Sequence, residues 1–237
     1  MKNVLYRAST RGHFDHGWLD TYHTFSFANY YDRNRMHFGE LRVINDDVVQ
    51  SGEGFGTHPH ENMEIISIPL YGELEHKDSM GHTQVIRPGE VQVMSAGTGI
   101  THSEYNHSQD SPLNFFQIWV FPNKENVTPR YDQRVFDFSK KNQLIQIVSP
   151  HPEDDNLWIH QNAWFSMGTF DKGHSFEYAV KEKVNGVWAM VVEGEFTVDG
   201  QKLHHRDGFG IWDADKVKIT ADTDNARILL IDVPMNA

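Results

Sequence analysis

Cysteine is absent from this 237-residue chain, which excludes a disulfide framework, a thiolate nucleophile and a thiolate metal ligand together. Any transition-metal site must therefore use histidine and carboxylate. Long apolar runs are lacking too: none approaches the roughly 20 residues that cross a bilayer as a helix. Positive charge is scarce, with 21 Lys and Arg against 33 Asp and Glu and a net charge of −12, so direct nucleic-acid binding by bulk electrostatics is excluded. The opening residues, Met1 to Arg7, contain no apolar segment followed by a small-residue cleavage site, and a cytoplasmic location is expected. Long amphipathic helical patterns are missing as well.

What is present is a globular composition and an uneven supply of histidine. Hydrophobic residues make up 38% of the chain, enough for a substantial core. Of the 15 histidines, ten lie within the first 107 residues. Short apolar or alternating runs recur between turn signals, the pattern of an all-β sandwich or barrel. Strands are predicted at 41–44, 63–70, 83–86, 91–94 and 115–121, and again at 143–148, 187–192, 195–198, 201–203, 209–212, 216–220 and 227–233. Pro88-Gly89 suits a type II turn and Asp199-Gly200 a two-residue hairpin.

The polar stretch 122–129, with Pro at both ends, marks a boundary, giving domains 1–125 and 126–237. The segment Tyr131 to Lys141 reads as a short helix or an extended connector. Gly72-Glu73 before Pro88-Gly89 is echoed by Gly194-Glu195 before Asp207-Gly208, a weak repeat at an offset of 122 residues. Two copies of one small antiparallel barrel would produce it.

The stretch that carries chemistry runs from Gly52 through His58-Pro-His60 to Glu64, followed by Ala96-Gly-Thr-Gly-Ile-Thr-His102-Ser-Glu104. In extended backbone alternate side chains share a face, so His58 and His60 project together, as do His102 and Glu104. Two such strands side by side would aim three imidazoles and a carboxylate at one spot. That donor set suits Fe, Mn, Ni, Cu, Co or Zn, and affinity order alone does not choose among them. Four ligands on a six-coordinate ion would leave adjacent positions for a chelating substrate, water or dioxygen. Glu64, four residues beyond His60, is expected to orient a histidine by hydrogen bond. His76, Asp78 and His82 are read as residues near a hairpin end, and His107 as structural.

These features resemble the pirin family of the cupin superfamily, in particular its bacterial quercetin 2,3-dioxygenase-like members. The resemblance rests on Arg11-Gly12, Gly17-Trp18-Leu19, His23-Thr-Phe-Ser-Phe27, Phe38-Gly-Glu-Leu-Arg-Val43, His58-Pro-His60, Leu74-Glu-His76-Lys-Asp78-Ser79 and Ala96 to Glu104, spanning most of residues 7–121. The general cupin pattern is altered in the longer spacing from Glu64 to Gly72 and in Ser95 where proline is common. The resemblance implies an all-β bicupin of two tandem antiparallel jelly-roll barrels, with metal on His58, His60, His102 and Glu104. It also implies a second barrel that has lost its metal. At the 122-residue offset those ligands fall on Val180, Glu182, Asp224 and Ala226, no plausible ligand set, and His151, His160, His174, His204 and His205 show no ligand spacing.

The activity so implied is Fe(II)-type dioxygenase opening of the heterocyclic ring of a flavonol such as quercetin, with carbon monoxide released. Glu104 is the expected proton acceptor, because a carboxylate beside the ion reaches a metal-bound hydroxyl whose pKa the cation lowers. The expected partners are a planar polyphenol and dioxygen, and the chain is expected to be a monomer. Two other readings share the same metal site: a non-enzymatic metal- or redox-sensing regulator that acts through a protein partner, and a zinc-dependent sugar isomerase of cupin type. Consumption of dioxygen with a stoichiometric organic product distinguishes the first reading from both.

Overall fold

The computed structural model describes residues 1–236. Strands account for 56% of the chain, and the only helical element among the described residues is the 3-10 turn Ala8–Thr10. The strands form two pairs of sheets, each pair one seven-stranded and one four-stranded sheet. In the first pair the large sheet runs in the order Arg130–Val135, Glu90–Ser95, Glu64–Tyr71, Leu113–Val120, Leu41–Val49, Leu19–His23, Gly12–Asp15. Its small sheet is Gly54–His60, Ile100–Asn106, Leu74–Asp78, Thr83–Ile86.

The second pair repeats this order strand for strand through its core. Its large sheet is Lys2–Tyr6, Gly208–Trp212, Asn185–Glu193, Ala226–Pro234, Trp164–Phe170, Ile145–Ser149, Leu157–Trp158, and its small sheet is Ser175–Ala179, Lys216–Ala221, Phe196–Val198, Gln201–Leu203. Two strands cross the boundary at 125/126. Lys2–Tyr6 pairs with Gly208–Trp212 in the second large sheet, and Arg130–Val135 pairs with Glu90–Ser95 in the first. Each barrel thus lends the other an edge strand at the equivalent position, and the expected division is not a clean cut through the sheets. The segment from Tyr131, open between helix and connector in the sequence, is this strand.

Alternation within the strands decides what each face meets. In Leu113–Val120, Phe116, Ile118 and Val120 turn toward the other large sheet, where Trp188, Met190, Leu229 and Ile231 meet them in a shared core between the barrels. Phe115, Gln117 and Trp119 point the other way, into the first barrel. Both residues of Asp199-Gly200 have positive φ, +44° and +81°, as a type I′ hairpin turn requires.

The strand ladders correct the repeat offset. Gly72 and Gly194 open equivalent hairpins, but following the pairing across each small sheet sets His58 against Tyr178, His102 against Val217 and Glu104 against Ile219. The offset falls from 122 residues at Gly72 to 115 at His102 because the second barrel's connections are shorter. The conclusion drawn from the sequence survives the correction, since Tyr178, Val217 and Ile219 are buried core residues.

Candidate metal centre

Two antiparallel strands build the centre. Ile100–Asn106 pairs with Gly54–His60 so that His102 lies opposite His58 and Ile100 opposite His60. The ladder slips by one residue between His102 and Glu104, a bulge that puts Glu104 opposite Phe55. On its other side Ile100–Asn106 pairs with Leu74–Asp78, with Glu104 opposite His76 and His102 opposite Asp78.

His58, His60 and His102 each present a ring nitrogen within 4.8 Å of the other two. Their ring centroids are 4.5 to 4.9 Å apart. Nδ1 of His58 lies 2.8 Å from the Gly56 carbonyl, so it carries the proton and leaves Nε2 as the free donor atom. Nε2 of His102 is buried and meets no hydrogen-bond partner. Such an orphaned atom is costly, and a cation shared with two other imidazoles would satisfy it. Burial, then the neighbouring imidazoles, drives His60 down to about 4 and His102 down to about 3. Both are therefore neutral at pH 7, the form that ligates. The residues present fit a divalent transition metal.

Glu104 belongs to a second, overlapping group with His76 and His102, also within 4.8 Å of one another. It is 2% exposed. Gln117 Nε2 donates to its Oε2 at 2.6 Å. Ser67 Oγ lies 3.2 Å from Glu104 Oε1 and 2.9 Å from Gln117 Oε1, with a single hydrogen for the two.

His76 and Asp78 are buried, not loop residues. His76 Nδ1 is 3.4 Å from His102 Nδ1, and His76 Nε2 is 3.2 Å from Asp78 Oδ2. A consistent proton assignment runs outward, His102 donating to His76 and His76 donating to Asp78, which holds the His102 Nε2 lone pair toward His58 and His60. Asp78 also accepts from the His82 backbone and ring, and these bonds keep its carboxyl below the usual range against the opposing effect of burial. The sequence signal for this relay was available: His76 and Asp78 have the same two-residue spacing as the two ligand pairs.

Glu64 lies elsewhere. It shares a parity with Ile66 and Ile68, which face the core between the barrels, and its Oε2 accepts from Ser95 Oγ at 2.8 Å. Asn62, with φ +46°, turns the chain between His60 and Glu64, so strand parity does not carry across. The expectation that Glu64 orients a histidine is corrected on this ground. Burial pushes its carboxyl up to about 7.

A cavity of about 60 Å³ opens beside the cluster, lined by His58, His60, Glu104 and Gln117, by Asn45 and Asp47, and by the aromatic rim Phe27, Phe55 and Trp119. Trp119 packs edge-on against both His60 and Phe27. Asp47, fully buried, is pushed up to about 7 by desolvation, although Thr21 donates to it. His107 is at the surface, bonded to Glu75.

Comparison with known proteins gives a consistent picture. The family model described as Pirin matches residues 5–120, and that of the quercetinase C-terminal cupin domain matches 146–233. An Escherichia coli K12 protein named quercetin 2,3-dioxygenase is 47% identical over 230 residues, 97% of this chain and 98% of the relative. A Caulobacter vibrioides pirin-like protein is 38% identical over 220 residues, 92% of this chain and 94% of the relative. A crystal structure described as the bacterial pirin YhhW of Escherichia coli in complex with nickel(II) has a TM-score of 0.93 at 45% identity, covering 98% of this chain and 99% of that one.

Proposed function

The chain belongs to the pirin family, and from that membership we propose that it opens the heterocyclic ring of a flavonol with dioxygen and releases carbon monoxide, and that His58, His60, His102 and Glu104 would hold the one divalent transition metal this chemistry needs. The observation that carries the reading is the buried, unpartnered Nε2 of His102 beside two further imidazoles, those of His58 and His60. The relatives named quercetin 2,3-dioxygenase supply the substrate class. Iron(II) is the proposed native ion, within a donor set that also accepts the nickel(II) held by the similar structure.

When bound, the metal would lower the pKa of a coordinated hydroxyl and provide the route for electron transfer to dioxygen. The protein's own groups do the rest. Gln117 fixes one oxygen of Glu104, while Ser67 divides its single hydrogen between Glu104 and Gln117. Glu104 Oε1 is therefore the less committed oxygen and the one that takes the proton of the flavonol 3-hydroxyl. The relay through His76 and Asp78 keeps the His102 ring in place as charge changes nearby. Asp47, raised to about 7, is a second carboxyl in the same cavity able to hold a proton near neutral pH.

The cavity of about 60 Å³ is far below the roughly 300 Å³ of an enclosed small-molecule site. A flavonol therefore binds at the mouth, its rings against Phe27, Phe55 and Trp119, and the rim must move for closer approach. The test is anaerobic purification with elemental analysis, then oxygen uptake on a panel of flavonols. The expected result is near-stoichiometric metal and dioxygen consumption matched by carbon monoxide. A metal-loaded chain that consumes no dioxygen with any flavonol overturns the enzymatic reading and leaves the partner-binding regulator in its place.

A further inference from the structure

A cavity of about 560 Å³ lies away from the metal centre. It lies at the seam of the two barrels, where the turn Ala8–Thr10 and the segment after Leu203 meet the strand Leu41–Val49. Asn45 and Asp47 of that strand face the metal cavity; Asp46, between them, faces the seam.

Two guanidinium groups share one carboxylate oxygen there. Arg11 Nη1 is 3.1 Å and Arg206 Nε 3.2 Å from Asp46 Oδ2, while Asp46 Oδ1 accepts from Asn114 Nδ2 at 2.8 Å. Asn114 returns its own oxygen to Arg206 Nη2 at 3.2 Å. Among the described residues the other acid in reach is Glu193, 4.0 Å from Arg206 and half exposed. Both arginine side chains are buried, at 6% and 10% exposure, and Arg206 Nη1 has no partner. Buried charge is stable only when paired, and this cluster is one negative charge short at its centre. Arg206 also has φ +63°, a left-handed conformation that a long side chain adopts at some cost. The turn itself sets that conformation, since Gly89 holds the equivalent position of the first barrel at φ +93°; from it the guanidinium reaches over Phe116.

The walls narrow the choice of anion. Tyr22 and Tyr71 stand beside the arginines, and Tyr71 is an exposed large aromatic in a cavity whose volume is in the range of small-molecule sites. His205 lies across from them, held 3.5 Å from Glu193. A guanidinium fork matches a carboxylate in two parallel bonds. Tyr22 is already covered, with the His13 ring stacked on it at 4.3 Å and the Arg11 guanidinium 4.7 Å from its centroid, so the exposed Tyr71 is the face that suits a flat ring.

We propose that the seam between the barrels is a second ligand site, which binds a small aromatic carboxylate through Arg11 and Arg206 with its ring against Tyr71. It is separate from the metal centre, on the opposite face of Leu41–Val49, and stands whether or not the proposed dioxygenase activity is found. Binding requires Arg206 to share its guanidinium between Asp46 and the incoming carboxylate. Glu193 competes with that carboxylate from the rim.

Benzoate and 4-hydroxybenzoate are the probes, titrated at low ionic strength against full-length protein with and without metal, by calorimetry and thermal shift. Benzamide, of the same shape without charge, and inorganic phosphate serve as comparisons. Expected is saturable binding of both carboxylates with a rise in Tm, the same in chelator-treated protein, and weaker binding of benzamide and phosphate. Glu193→Gln, a surface change, should tighten the carboxylates roughly two- to fivefold, the range for an exposed charge. Arg11→Gln should weaken them at least tenfold on a bidentate bond's share of affinity, and Tyr71→Ala should weaken them while leaving the fold intact. Absence of binding overturns the proposal and leaves the arginines as a staple between barrels. Binding that disappears with the metal, or phosphate binding as tight as benzoate, overturns it as well.

Discussion

The two barrels have one strand order and opposite interiors. In the second, sixteen buried residues form one continuous apolar cluster between the large and small sheets. In the first, the apolar residues divide into a group of six around Leu113 and Phe115 and a group of four around Ile65 and Met94. Between these groups lies the polar belt of His76, His102, Glu104, Ser67, Gln117 and Gln92, all buried. Ladder positions pair each belt residue with an apolar one: His76 with Val198, His102 with Val217, Glu104 with Ile219, Ser67 with Ala189, Gln117 with Leu230 and Gln92 with Phe209. The fold thus tolerates either filling. The belt is a local departure from the rule that cores are apolar, and such departures collect where chemistry is done.

The comparison breaks most directly at Glu104. Glu104→Gln keeps the shape and the Ser67 contact but removes the proposed base. Turnover on a flavonol should fall by roughly 10²–10⁴-fold, the usual contribution of a general base, with some metal retained by elemental analysis. A variant as active as the parent would refute the assignment of the base.

The reverse test makes the second barrel resemble the first. Leu230→Gln introduces the residue of position 117 without its partners Glu104 and Ser67. Urea unfolding should show a loss of about 3 kcal/mol, combining lost packing with an unsatisfied amide. A loss below about 1 kcal/mol would mean that the second interior can accommodate polarity by itself, and that the belt is no special property of the first.

The extent to which this was legible in the sequence follows from the same pairs. Two-residue spacing of His58 with His60 and of His102 with Glu104 shows the faces, because strand alternation is local. The bicupin architecture was legible from turn chemistry and from the resemblance. Glu64 was misplaced because one left-handed residue, Asn62, resets the alternation. His76 was misjudged because its burial depends on cross-strand register with Glu104, which no local pattern contains. The exchange of edge strands was invisible for the same reason: Lys2–Tyr6 pairs with residues some two hundred positions away.

A smaller effect is expected one step outward from the proposed ligands. Asp78→Asn replaces the acceptor that holds His76, and through it the His102 ring. Metal affinity, measured by competition with a chelating dye, should fall about 10- to 100-fold, while turnover at saturating metal stays within a fewfold of the parent. If Asp78 only stabilises its hairpin, Tm will fall and metal affinity will not move. Val198, at the position of His76 in the second barrel, has no such acceptor to lose.

The smallest effect sharpens the comparison most. Gln92 is wholly buried on the barrel-facing side of its strand, opposite Ser67, and neither its amide nitrogen nor its amide oxygen has a hydrogen-bond partner. Its counterpart Phe209 is simply core. If the belt is kept for function at some expense of stability, an unpartnered amide is the place where that expense is visible. Gln92→Met, close in volume, removes both unsatisfied groups and should raise the unfolding free energy by about 1 kcal/mol. The rise should appear in the metal-free protein, where no ligand organises the belt. Should the variant be destabilised instead, Gln92 is satisfied by ordered water in the belt, and the first barrel's interior is a hydrated site, not a dry one with isolated polar groups.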